Sequence, residues 1–267
     1  MPSPDPPHVS QLFSLRGKVA LITGATGYLG SALAGALAEA GASVVVASRQ
    51  LSSARDAAGR LPRTDGGQHH AVEMDQMDEP SIVRGVAAAV AAAGKIDLLV
   101  NNGHEALAAD WRTVTGEQFS RHLCNATGYF LLARALRDHL VERRAPGSVV
   151  MLGSMYGLVG SYPDAYEGIT AASPVAYHTL KGGIAQLTRH LAVYWAKDGV
   201  RVNTLSPGPF PPERVPEEMV RRLINRSPMG RMGRPDELKG AIVFLASDAS
   251  SYMTGQNLVI DGGWTAW

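Results

Sequence analysis

The chain has one cysteine, Cys124, among 267 residues. A single thiol excludes an intrachain disulfide framework and any zinc site built on several thiolates, and it fits a reducing, cytoplasmic setting. An excess of charge of either sign is also missing: 25 Lys and Arg stand against 24 Asp and Glu, a formal +1. With no basic run along the chain, nucleic acid and anionic membrane surfaces are not expected partners. Long hydrophobic runs are absent. The longest, residues 86–93, is far below the ~20 residues of a membrane span, and the N-terminus has neither the cationic start nor the apolar stretch of an export signal. His69, His70, His122, His139 and His190 lack metal-ligand spacing, so no metal is expected.

What is present is an ordinary globular composition, 45% apolar and 18% charged, on a chain long enough for a sizeable core. Pro2, Pro4, Pro6 and Pro7 mark residues 1–14 as a loose leader that forms neither helix nor strand over its first dozen positions. Residues 15–267 read as one domain, since no repeat or linker divides them. Short β-branched runs near 19–23, 43–47, 71–74, 97–101, 148–152, 201–205 and 257–260 predict strands. Longer, often alanine-rich stretches near 29–40, 52–61, 80–93, 116–140, 174–197, 217–224 and 235–246 predict helices between them. That alternation predicts an α/β fold with a doubly wound, seven-stranded parallel sheet. Residues 161–173 and 208–216 read as loops.

Directly after the first predicted strand stands Thr23-Gly24-Ala25-Thr26-Gly27-Tyr28-Leu29-Gly30, which opens a helix. Glycines at 24, 27 and 30 suit a tight turn, close approach of a pyrophosphate, and close packing of helix on strand, while the helix start supplies free N–H groups. This predicts a dinucleotide site, with the alternative that the turn is only structural. The second strand ends in Ala47-Ser48-Arg49 rather than in an acidic residue. A hydroxyl and a guanidinium suit a 2′-phosphate, so NADP(H) is expected unless Arg49 is a solvated loop arginine. Asp75, closing the third strand, is either an adenine contact or a turn former.

Tyr177 and Lys181 lie one helical turn apart on one face. An ammonium ~5 Å from a phenol, at an effective dielectric of ~20, favours the phenolate by about 3.3 kcal/mol, which would bring the tyrosine toward neutral pH. Such a tyrosine can protonate a carbonyl oxygen or deprotonate an alcohol. Taken alone, the pair has a blander meaning, a snorkelling lysine beside a boundary tyrosine. Ser154 follows the fifth strand, at the edge where such sheets bind ligands. Asn125 interrupts an apolar helix, where an amide is costly without partners and, by itself, reads as a satisfied core amide.

The glycine turn, Leu99-Val100-Asn101-Asn102, Asn125, Ser154, Tyr177 with Lys181, Arg201-Val202-Asn203, Pro207-Gly208 and the closing Asp261-Gly262-Gly263, in this order, resemble the short-chain dehydrogenase/reductase family from about Leu15 to the C-terminus. The resemblance implies a Rossmann fold, hydride transfer at a nicotinamide, and a tetrad of Asn125, Ser154, Tyr177 and Lys181. In it, Tyr177 is the acid/base, Ser154 bonds the reacting oxygen, Lys181 holds the nicotinamide ribose, and Asn125 helps hold a proton-relaying water. It also implies cofactor contacts from Gln76, Asn102, Gly103, Pro207, Gly208 and Phe210, and a homotetramer or homodimer. The segments around Met155-Tyr156-Gly157, Pro209-Phe210-Pro211 and Trp264-Thr265-Ala266-Trp267 further resemble sugar and sugar-acid oxidoreductases of the family, such as gluconate 5-dehydrogenase-like members and reductases of surface-sugar pathways.

The chain departs from the family pattern in places. Tyr28 stands where compact members usually carry a middle glycine, and Gly27 takes that duty one residue earlier. Asn101-Asn102 is followed by Gly103-His104, which puts His104 either at the nicotinamide edge or on the surface. Pro212 replaces a threonine that often holds the carboxamide, leaving that contact to backbone around Phe210. The interval from Ser154 to Tyr177 is longer than usual, and its Tyr162 and Tyr166, with Tyr156 before them, suit a hydroxyl-rich ligand. The expected function is an NADP(H)-dependent ketone/secondary-alcohol oxidoreductase on a small, polar, carbohydrate-like substrate. The alternatives are a sugar-nucleotide epimerase or dehydratase, pointed to by the glycine spacing, and a non-catalytic dinucleotide-sensing protein.

Overall fold

The structure, a computed structural model, describes residues 6–64 and 67–267. Seven strands, β1 (Val19–Thr23), β2 (Ser43–Ser48), β3 (His70–Glu73), β4 (Leu98–Asn101), β5 (Gly147–Leu152), β6 (Val200–Pro207) and β7 (Asn257–Ile260), form one sheet in the order β3-β2-β1-β4-β5-β6-β7. Every pairing is parallel. Parallel strands are covered on both faces, and alternate residues therefore feed two cores. Ala20 and Ile22 of β1 point to one, Val19 and Leu21 to the other.

The first core lies under helices α2 (Tyr28–Glu39), α3 (Leu51–Gly59) and α9 (Lys239–Ala246); the second lies under α4 (Glu79–Ala93), α5 (Gly116–Glu142) and α7 (Val175–Trp195). Local chemistry sets the ends of these helices. Asp78 caps α4 by accepting from Ser81 N at 3.0 Å, and Gly94 (φ 78) closes it in the left-handed region. Thr115 and Gln118 cap α5 reciprocally, at 3.2 and 3.0 Å. The order of strands reverses between β1 and β4, which opens a crevice at their carboxyl ends.

Three expectations need correction. The leader is not without structure: Val9–Leu12 form a helical turn, α1, because the prolines all precede it and His8 and Gln11 cap each other. Phe13 then lies 6.3 Å from Phe244, and Leu15 is fully buried. Residues 1–5 of the expected leader lie outside the described residues. The helix expected over 235–246 divides into a 3-10 turn, Pro235–Leu238, and α9, since proline opens the first turn. The loop expected over 161–173 contains a helical turn, α6 (Pro163–Tyr166), and it packs against α8 (Glu217–Ile224) through a small cluster of Met155, Ala165, Tyr166, Leu223 and Trp264.

Candidate active site

The crevice is a cleft of about 550 Å³. Gly24, Thr26, Gly27, Tyr28, Leu29 and Gly30 line one wall, Ser48, Arg49, Asp75 and Gln76 the end beside β2 and β3, and Asn102, Gly103, Pro207, Gly208 and Phe210 the walls beyond. Ser154, Tyr177, Lys181 and His104 line the opposite end. The structure thus brings all the expected cofactor residues onto one surface. Thr23, Ala47, Met74, Met77, Glu105, Leu152 and Gly153 also line it and were not singled out in sequence. Thr23 and Glu105 serve through hydrogen bonds to neighbouring segments, which local sequence does not mark.

The glycine turn is cross-braced to β4. Thr23 Oγ1 accepts from the backbone N–H groups of Asn102 and Gly103 at 3.1 and 3.0 Å, and Asn102 Nδ2 donates to the carbonyls of Thr23 and Gly24 at 3.1 and 3.0 Å. Gly24 has φ 68, and a Cβ there would lie 2.7 Å from Gly103 Cα; one on Gly30 would drive into the Gly24 carbonyl. Gly27 caps α2 with no side-chain bond, so the first-turn N–H groups are left for a ligand. A Cβ-free turn against a helix start fits a pyrophosphate, and the cleft beside it is lined by both Arg49 and Tyr177. Tyr28 Oη donates to Pro211 O at 3.4 Å, a contact across the cleft between this turn and the segment after β6.

At the Arg49 end, Asp75 Oδ1 accepts from Met77 N at 2.9 Å, so this carboxylate does form the local turn. Arg49 is exposed, and among the described residues it has no ion-pair partner.

At the other end, Ser154 is buried at the end of β5, where its Oγ accepts from Tyr156 N at 3.1 Å. The turn after it runs against α7 so closely that a Cβ on Gly157 would lie 2.7 Å from the Lys181 carbonyl group. That packing sets Ser154 beside Tyr177, where its hydroxyl favours the ionised phenol. Lys181 Nζ lies 5.5 Å from the Tyr177 ring centre and donates to the Leu152 carbonyl at 2.6 Å. The expected electrostatics are corrected here. Burial drives Lys181 down to about 7. Burial also holds the Tyr177 phenol above its ordinary range, although the Ser154 hydroxyl pulls it the other way. In the chain by itself, desolvation outweighs the pairing that spacing predicted.

Asn125 stands behind the cleft rather than in it. It is fully buried, and its amide is spent on the protein: Oδ1 accepts from Glu105 N at 2.7 Å and Gln76 Nε2 at 3.1 Å, while Nδ2 donates to His122 O at 2.8 Å and Glu105 O at 3.2 Å. Any water relay through Asn125 would therefore use its backbone, not its side chain. His104 projects beside Tyr177, with ring centres 5.8 Å apart. His122, set aside in sequence for want of metal-ligand spacing, lies 6.3 Å from the same ring. Its signal was a polar residue on the inward face of α5, three positions before Asn125.

The aromatic set divides. Tyr156 stacks on His178 at 4.5 Å, and its hydroxyl pairs with that of Tyr166 at 2.7 Å. Both stand outside the lining of the cleft, behind Ser154. Tyr162 turns away: its ring is 5.5 Å from that of Trp264, with the Arg226 guanidinium 4.7 Å over it. Trp264 is itself buried, a packing residue, whereas Trp267 is exposed. Among the described residues, no group of three or more His, Cys, Asp or Glu could hold a metal ion, and no helix is long and apolar enough to cross a membrane.

A doubly wound sheet with a glycine-lined helix start at its switch point, and a Ser, Tyr, Lys group at the far end of the same cleft, defines a dinucleotide-binding oxidoreductase. Comparison with known proteins gives the family. Residues 24–265 match a family model described as enoyl-(acyl carrier protein) reductase. The galactitol 2-dehydrogenase (L-tagatose-forming) of Cereibacter sphaeroides is 34% identical, over 96% of this chain and 98% of that one. The gluconate 5-dehydrogenase of Gluconobacter oxydans is 35% identical, over 95% and 97%. A solved gluconate 5-dehydrogenase from Burkholderia cenocepacia, in complex with NADP and tartrate, superimposes with a TM-score of 0.86 at 31% identity, covering 97% of this chain and all of that one. The chain belongs to the short-chain dehydrogenase/reductase family.

Proposed function

We propose that the protein is an NADP(H)-dependent oxidoreductase that interconverts a ketone and a secondary alcohol on a polar, carbohydrate-like substrate. The observation that carries this reading is one continuous cleft with Arg49 at one end and Ser154, Tyr177 and Lys181 at the other. Relatives named for galactitol, gluconate and mannitol, the last NADP-dependent, support the substrate class and the cofactor.

A bound nicotinamide supplies the hydride donor or acceptor. The chain does the rest. Tyr177 donates its phenolic proton to the carbonyl oxygen in reduction, or takes the alcohol proton in oxidation. Ser154 Oγ donates to the same oxygen and opposes its drift from Tyr177. Lys181, charged when the cofactor's anionic phosphates share the cleft, would stabilise the phenolate left behind. Its Nζ would move from Leu152 O to the ribose hydroxyls. Ser48 and Arg49 would hold the 2′-phosphate, Arg49 bidentately. Exposed Val193, Tyr194 and Trp267 offer apolar surface to a second copy, in keeping with a homodimer or homotetramer.

The test is cofactor consumption, with NADPH and NADH, over a panel of ketoses, keto sugar acids, alicyclic ketones and fatty ketones. Turnover of a polar ketone with NADPH is expected. A protein that binds NADPH and reduces only apolar ketones would overturn the carbohydrate assignment.

A further inference from the structure

Two histidines beside Tyr177 remain outside the roles just given. His104 sits between two clamped neighbours. Gly103 O accepts from Gln76 Nε2 at 2.7 Å, and Glu105 exchanges hydrogen bonds with the Asn125 amide through both its backbone groups. The Glu105 carboxylate is in turn held bidentately by Arg121, at 2.7 and 2.8 Å. The backbone at His104 is therefore fixed, and its ring faces Tyr177 at the mouth of the cleft.

Behind it, His122 is buried and meets His104 edge-on, with ring centres 6.2 Å apart at 85°. The Glu105 backbone carbonyl favours a proton on the His122 ring, and its Nε2 is buried with no partner among the described residues. With that proton on Nδ1, Nε2 is a bare, buried acceptor, which is costly unless something donates to it. The rings of His104 and Tyr177 stand beside it, 6.2 and 6.3 Å away centre to centre. Burial and the Lys181 charge keep both imidazoles below the ordinary range, hence neutral at physiological pH.

We propose that His122 fixes His104 as a neutral hydrogen-bond acceptor toward the substrate, so that the enzyme takes an uncharged polyol or ketose, read by the hydroxyl beside its reacting carbon, and rejects the corresponding sugar acid. The chain of bonds runs one way. Glu105 O takes the His122 proton, His122 Nε2 takes the His104 N–H after a small ring rotation, and the remaining His104 nitrogen presents a lone pair beside Tyr177. A hydroxyl can donate to that lone pair; a carboxylate cannot.

Charge in the cleft points the same way. Among the described residues, the cations lining it are Arg49, at the far end, and Lys181, engaged with Leu152 O, while the nearby Arg121 is already taken by the Glu105 carboxylate. A substrate carboxylate beside His104 would be desolvated without a partner.

The inference rests on the carbohydrate reading above and is tested with the full-length protein and NADPH, using five- and six-carbon ketoses against keto sugar acids of equal length. The expected kcat/KM favours the neutral sugar by about 100-fold or more. His104→Leu is expected to raise KM for that sugar at least 10-fold, and more than it lowers kcat. His122→Leu should raise KM in the same way, whereas His122→Gln, which keeps an acceptor, should recover most of the loss. The NADPH-induced rise in melting temperature checks that each variant is folded.

Equal or better turnover of the acids overturns the inference and leaves the carbohydrate reading standing. So do His122→Leu and His122→Gln that behave alike. Reduction of apolar ketones alone, with no sugar or sugar acid turned over, overturns both.

Discussion

Lys181 is almost fully buried, and its Nζ has one protein partner, the Leu152 carbonyl. Its folded pKa, about 7, lies below the ordinary lysine value of 10.5, so between these values the unfolded chain holds a proton that the folded chain does not. Stability then rises with pH across that window. Lys181→Met removes the slope. The ligand-free variant should melt above wild type at pH 6, with the gap closing toward pH 10, while its activity falls, its pH optimum moves upward and its cofactor affinity weakens. Thermal melts across pH, with a rate profile, check this; a variant melting below wild type at pH 6 contradicts it.

At the opposite end of the cleft, pairing of Arg49 with a 2′-phosphate is worth about 1.5–3 kcal/mol, roughly 10- to 100-fold in affinity for NADPH over NADH. Ser48→Asp should reverse the order, read by titration with both cofactors. Equal affinities in wild type would remove the role given to Arg49. Both residues were legible because a helical turn and a strand end fix where such side chains go. The pKa of Tyr177 was not, because spacing measures the approach of two charges and says nothing of the water each loses.

Among the elements, α5 holds the site together from behind. Asn125 read by itself in sequence as a satisfied core amide and, through the family resemblance, as a member of the reacting group; its side chain is the former, one layer back, where it joins α5, Gln76 and the His104 segment. The segment 161–173 shows the same limit of sequence. Its polar and aromatic content reads as a loop, but α6 is tied to α8 by Arg222, whose Nη1 donates to the carbonyls of Asp164 and Glu167, both at 2.8 Å. A partner some 50 residues later leaves no local mark.

Packing against α8 thus holds this segment in place. We propose that it still shapes the substrate end. Arg222→Ala, which removes both bonds to α6 and a third to Glu218, should raise KM about 3- to 10-fold at nearly constant NADPH affinity. Unchanged KM, with faster hydrogen exchange confined to 161–173, would show that the segment does not touch specificity. The strands, by contrast, were read in sequence nearly to their ends, since buried parallel strands are continuous β-branched runs.

At the scale of the whole molecule, Asp97, at the entry to β4, ties the start of β1 to the end of α5. Its carboxylate accepts from Val19 N at 2.9 Å, lies 3.0 Å from Lys95 Nζ and accepts from Arg143 Nη2 at 3.0 Å. Burial works to raise the carboxyl, but these bonds and cations hold it below the ordinary aspartate value of 3.8. Its contribution is therefore present above the unfolded value and lost as pH falls through the folded one. Asp97→Ala should lower stability at neutral pH by about 2 kcal/mol and flatten the acid limb of the stability curve. Denaturant melts at pH 7 and pH 3 check both; an equal loss at the two pH values would contradict the account.

The central claim is that this cleft performs a reduction or oxidation in which Tyr177 moves the proton. It is tested most directly by kcat of Tyr177→Phe against wild type, with NADPH affinity measured on the same preparations. The account predicts at least the ~10²–10⁴-fold loss of a deleted general acid/base, with cofactor affinity little changed. A variant that keeps more than about a tenth of wild-type kcat would contradict it.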